Sequence, residues 1–170
     1  MTALSKPHHR APILALLLGV AVLLQGCATP SPDSFAKGAS MASVVQAMGQ
    51  STAEYAMPDG GKELEYATGP YGKSTLLFRF DAAGQLLAAR QALTELQFNR
   101  ILPGMAANDV LLRLGRPSTK WALAFQQQTV WSYRYESPFC LWFMVGVGAD
   151  GKVVDSGYGP DPVCNVDSAM

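Results

Sequence analysis

Histidine is almost missing from this chain, and the two present, His8 and His9, both fall in the first ten residues. Charge is sparse as well: 13 basic and 13 acidic residues among 170 leave no net charge. Cysteine occurs three times, at Cys27, Cys140 and Cys164. Each shortage closes off a class of function. Beyond residue 26 there is no histidine, which excludes Ser-His and Cys-His nucleophile pairs and histidine metal sites from the rest of the chain. Cys140 and Cys164 are too few ligands for structural zinc. With Lys6 and Arg10 set aside, 11 basic residues face 13 acidic ones, and no basic run offers a nucleic-acid surface or a lipid-headgroup patch. No glycine-rich loop opens a helix to cradle phosphate, because Gly146 and Gly148 sit in an extended stretch. The expectation is a non-enzyme with no catalytic residues, no metal and no cofactor.

Long hydrophobic runs are missing too. The longest, Ala11 to Leu24, covers 14 residues and includes Pro12. A membrane-spanning helix needs roughly 20. Behind the positive leader of Lys6 and Arg10, that length suits a secretory signal core. The segment ends Leu24-Gln25-Gly26-Cys27, which resembles a bacterial lipobox. The resemblance implies cleavage before Cys27, lipidation of Cys27 by palmitate-like chains and a membrane anchor. One acyl chain holds only marginally, whereas the three implied here hold firmly. Ala28, where an aspartate would mean retention at the inner membrane, implies an outer-membrane protein facing the periplasm. The chain therefore divides into a signal peptide at 1–26 and a lipidated tether at 27–34.

Gly38, Val44, Met48 and Gly49 lie 66 residues before Gly104, Val110, Leu114 and Gly115. Shared spacing of helix-ending glycines and apolar positions points to an internal duplication. Ser40 is placed to cap a helix over Met41 to Met48, and Thr94 a short one over Thr94 to Arg100. Ala106 occupies the place of Ser40 and cannot cap, so the matching helix is expected to begin at Asn108. Strand-like segments follow each helix: Ser51 to Met57, Lys62 to Thr68, Ser74 to Phe80 and Gln85 to Gln91, then Thr119 to Phe125, Thr129 to Ser137, Cys140 to Gly148 and Lys152 to Ser156. The turns PDGG, GPYG and DAAG, and later Asp150-Gly151, space them as antiparallel meanders. These observations give an α+β chain of two tandem repeats, 35–91 and 92–158, each of short helices on an antiparallel sheet. Residues 159–170 form a tail, with irregularity expected from Tyr158 because Pro160 and Pro162 oppose pairing.

Leu114-Gly115-Arg116-Pro117, then Trp131 and Tyr133 on one strand, then Asp150-Gly151-Lys152-Val153 resemble the BamE/SmpA/OmlA family of small lipoproteins. The resemblance covers Gln97 to Val153 well, Phe35 to Gln91 weakly and the tail not at all. Doubling such a unit resembles the β-lactamase inhibitor protein fold. The departures at Ala106, Cys140 and Cys164 point to a paralogue rather than BamE itself. What the family implies is a protein-binding module serving envelope or β-barrel protein assembly, with the outer-membrane β-barrel assembly machinery as partner. The alternative, an inhibitor or regulator of a periplasmic enzyme, rests on fold analogy alone.

Strand alternation sorts the sheet faces. Leu64, Tyr66, Leu76, Phe78, Phe80, Trp131, Tyr133, Leu141, Phe143, Val145 and Val147 should face the helices. Glu63, Glu65, Leu77, Arg79, Ser132, Arg134, Glu136, Trp142 and Met144 then face away. Glu63 and Glu65 read as solvated surface on that side. Trp142, Met144, Leu77 and Arg134 are the candidate partner-binding residues, with a covering C-terminal tail as the competing explanation for Trp142. Cys140 and Cys164 are the expected disulfide, closing a loop of 24 residues worth about 3 kcal/mol.

Overall fold

A computed structural model describes residues 30–164. The expected signal peptide and Cys27 lie outside the described residues, as does the end of the tail. The elements run α1 (Met41–Met48), β1 (Ala53–Ala56), β2 (Lys62–Ala67), β3 (Thr75–Phe80), β4 (Leu86–Gln91), α2 (Glu95–Phe98), α3 (Ala107–Leu114), β5 (Thr119–Leu123), β6 (Gln128–Arg134), β7 (Leu141–Gly148) and β8 (Val153–Pro160). The strands form two four-stranded antiparallel sheets, β1-β2-β3-β4 and β5-β6-β7-β8. The chain is therefore α+β, with helix α1 serving the first sheet and α2 and α3 the second.

The two units share their backbone chemistry in detail. Gly49 and Gly115 end α1 and α3 with φ of 81° and 77°, a conformation that a side chain resists. The Tyr66 hydroxyl donates to the Gly49 carbonyl at 3.1 Å, and the Tyr133 hydroxyl to the Gly115 carbonyl at 3.3 Å. Each third strand slips register once, between Arg79 and Phe80 in β3 and between Gly146 and Val147 in β7. From β2 onward the matching offset is 67 residues, one more than at the helices.

Alternation places the expected apolar set correctly. Leu64, Tyr66, Phe78, Phe80 and Leu86 close over Val44 of α1, with Leu76 beside them. Trp131, Tyr133, Tyr135, Phe143, Val145 and Val147 close over Val110 and Leu114 of α3 and over Phe98 of α2, with Leu141 beside them. Phe98 stacks on Phe143 with ring centroids 4.3 Å apart, which fixes the short α2 against the sheet.

Three local expectations need correction. Helix α3 starts at Ala107, one residue earlier than Asn108, although Ala106 offers no side-chain cap. The β7–β8 hairpin supplies what the side chain lacks, since the Ala107 amide donates to the Gly151 carbonyl at 2.8 Å. Thr94 stands at the start of α2 but makes no side-chain cap bond. Strand β8 runs on to Pro160, which pairs with Leu141 instead of ending the sheet. As the outer strand, β8 has one side free of ladder bonds, so a missing proline amide there breaks nothing.

Candidate protein-binding face

The face of each sheet turned away from its helix follows from register. On the first sheet it carries Tyr55, Glu63 and Arg79 in one row, and Ala53, Glu65, Leu77 and Arg90 in the next. This face is not solvated. Glu63 is 2% exposed and Glu65 is fully buried, which overturns the reading of both as surface acids. The physical cause is the second unit, whose α3 ends against this face. The Arg116 amide donates to the Glu65 carboxylate at 3.0 Å, and the Arg90 guanidinium donates to the Leu112 carbonyl at 2.8 Å. Arg90 also holds Glu63 at 3.1 Å. The Tyr55 hydroxyl donates to Glu65 at 2.5 Å, and burial, followed by that bond, pushes the Tyr55 pKa up. Gly115 is needed here for a second reason: a Cβ would lie 2.8 Å from both the Glu65 carboxylate and Thr75.

On the second sheet the same face is open only toward β5, since the first unit's β2–β3 turn and the tail border Arg134 and Trp142. Its rows read Trp121, Val130, Gly146, Asp155; then Thr119, Ser132, Met144, Gly157; then Arg134, Trp142, Gly159. Trp121 is 43% exposed, and its indole N–H donates to the Ser132 hydroxyl at 3.3 Å, which tips the ring across the sheet. Met144 and Trp142 are half-buried, and Gly159 is clear of a side chain because the Met144 methyl occupies that space. A Cβ on Gly157 would meet nothing. The result is a groove of about 420 Å³ with Val130, Gly146 and Gly157 along it, Trp121 and Met144 as walls, and Asp155 at one side. Gly146 stands at the register slip, where a Cβ would run into the Asp155 and Gln128 side chains.

The four residues singled out from sequence separate. Trp142 and Met144 do lie on the face away from the helices, close together. Leu77 is fully buried on the first sheet, between Glu65 and Arg90, and presents nothing to a partner. Arg134 is 7% exposed and bound internally. Its guanidinium donates twice to Asp161, with the Nη2 contact at 2.8 Å, and once to the Pro70 carbonyl at 2.6 Å. Their hydrogen bond holds the Asp161 pKa down and the Arg134 pKa up. The Arg134 guanidinium also lies 5.4 Å from the Tyr71 ring and 5.6 Å from that of Trp142. It ties the first unit's β2–β3 turn and the start of the tail to the second sheet. Pro162 and Tyr71 border Trp142 at that end, so the tail shields it in part. Cys140 and Cys164 lie at disulfide distance, with Cα atoms 6.3 Å apart.

Sequence reasoning missed Trp121. Its strand was legible, but which way the ring points depends on the pairing of Trp121 with Val130, and a hairpin through the turn at Ala124–Gln126 does not announce that register.

No protein-family model matches the chain, and no curated protein matches it. Among solved structures, a "putative beta-lactamase inhibitor protein" from Streptococcus mutans is similar over 87% of this chain and 97% of its own, at 12% sequence identity and a TM-score of 0.32. A cysteine-rich secretory protein from Staphylococcus aureus is similar over 75% of this chain and 45% of its own, at 9% identity and a TM-score of 0.29. Both likenesses are too distant to carry a functional argument.

Proposed function

We propose that this chain is a non-catalytic protein-binding module that takes its partner on the open face of the second sheet. One observation carries the reading: Trp121 and Met144 wall a groove over Val130, Gly146 and Gly157 on the same sheet face that carries Trp142. Aromatic and methionine side chains are enriched in interface cores. The lipobox-like segment supports attachment through Cys27 to the outer membrane, and Cys27→Ser should abolish palmitate labelling and release the protein from the membrane fraction. The 66- to 67-residue offset of helices and register supports tandem duplication. The BamE-like residues support a role in envelope or β-barrel assembly; an enzyme regulator remains the second reading of the same face.

Affinity purification from solubilised membranes tests this directly. Recovery of β-barrel assembly components supports the assembly role, and recovery of one soluble periplasmic enzyme supports the regulator. In either case the Trp121→Ala, Trp142→Ala double variant should lose the partner. Undiminished recovery by that variant would remove the second sheet as the binding face.

A further inference from the structure

A second groove lies at the junction of the units and owes nothing to the shared framework. It encloses about 490 Å³ between the end of β4 and the α2–α3 pair, with Arg90, Arg100 and Arg113 on its lining beside Met105, Asp109 and Leu112. The 66-residue offset matches Arg100, Asp109 and Arg113 to Ser34, Ser43 and Ala47. Folding of such a unit therefore does not require these charges.

The three arginines differ in how they are used. Arg90 is committed to Glu63 and the Leu112 carbonyl. Arg100 and Arg113 make no ion pair among the described residues, and Asp109 does not come within ion-pair distance of either. The Nε of Arg113 is buried without a hydrogen-bond partner among the described residues. A buried guanidinium N–H without an acceptor is costly, and an acceptor brought into the groove would remove that cost.

We propose that this groove binds a carboxylate-bearing, partly apolar segment of a protein partner. The chemistry of the lining selects that ligand. Glu63 cancels Arg90 and Asp109 opposes one of the remaining two cations, so the surplus suits a single negative charge better than a doubly charged phosphate. The planar fork of Arg113 matches a carboxylate in bidentate geometry. Met105 and Leu112 supply apolar surface for a neighbouring side chain. The site is separate from the tryptophan face, so its failure and that of the proposed function are distinguishable.

The test uses the full chain in detergent and a labelled, acetylated peptide of alternating glutamate and leucine. Binding should weaken with added salt, and the glutamine counterpart should bind at least about tenfold more weakly. The Arg100→Ala, Arg113→Ala double variant should lose about tenfold in affinity, and Arg113→Lys should lie between, because a lysine keeps the charge without the fork. Arg100 is exposed, so Arg100→Ala alone should weaken binding with an unchanged melting temperature. Trp121→Ala should bind the peptide as the wild type does. Equal binding by the double variant would overturn the proposal. So would stabilisation by inorganic phosphate or dimethyl phosphate in an assay where the acidic peptide has no effect.

Discussion

The outer faces of the two sheets are built on one backbone and meet opposite fates. Glu63, Glu65, Arg79 and Arg90 on the first correspond by register to Val130, Ser132, Gly146 and Gly157 on the second. Tyr55, Leu77 and Thr75 correspond likewise to Trp121, Met144 and Trp142. The charged face is the one closed by the protein itself. Glu65 and Arg90 answer a backbone donor and an acceptor where α3 ends, a polar surface that needs polar partners. The second face has no charge at those four positions, carries tryptophan at two others, and is open along its Trp121 side. On these two sheet faces, the four matched charges lie where the units join, while their counterparts on the second sheet are apolar, small or hydroxyl-bearing.

The joint at Arg134 should show the largest effect. Arg134→Ala leaves Asp161 buried without its hydrogen-bonded cation and should cost about 3–5 kcal/mol in denaturant unfolding. The pH dependence has a definite sign. Asp161 titrates below its ordinary value of 3.8, so the stabilisation is fully present above that value and is lost as the pH falls through the native pKa beneath it. Asp161→Asn should flatten this acid limb; an equally steep limb in the variant would show that the pair does not govern it.

On the closed face, Glu65→Leu removes the acceptor of the Tyr55 hydroxyl and of the Arg116 amide. A loss of about 2 kcal/mol in thermal or denaturant unfolding is expected, because two donors in a part-buried joint lose their acceptor. On the open face, Trp121→Ala should do the reverse. Stability should change by less than about 1 kcal/mol while partner affinity falls by about 2 kcal/mol or more, measured by calorimetry on one sample. Similar stability losses at Glu65 and Trp121, with binding intact, would erase the distinction between the faces.

The smallest effect compares the helices. Ser40 accepts from the Ser43 amide at 3.2 Å, and Ala106 offers no such cap. Ala106→Ser should therefore raise stability by up to about 1 kcal/mol in denaturant melts. No gain would mean that the hairpin bond from Ala107 to Gly151 already serves the helix end fully.

Much of the fold was legible because its signals are local. Gly49 and Gly115 each end a helix through a backbone conformation that other residues resist. Phe78 and Phe80, or Phe143 and Val145, share a face because a strand repeats every two residues. The closing of one outer face was not legible. Glu63 and Glu65 alternate as surface residues do, and only the approach of Gly115 and Arg116, some 50 positions later (51 from Glu65 to Arg116), makes them interior. Leu77 on that face is buried with them, Arg134 is taken up by Asp161 and Pro70, and Trp121 enters the site through the register of β5 on β6.

By itself, then, the sequence determined the two helix-and-sheet units, their cores, and a tryptophan and methionine turned away from them. Periodicity and helix termini depend on neighbours in the chain. Tertiary structure alone decided which outer face is free, because that depends on where α3 comes to rest against the first sheet. It also brought Arg90 of β4, Arg100 of the α2–α3 connection and Arg113 of α3 to one groove, a meeting that no local spacing encodes.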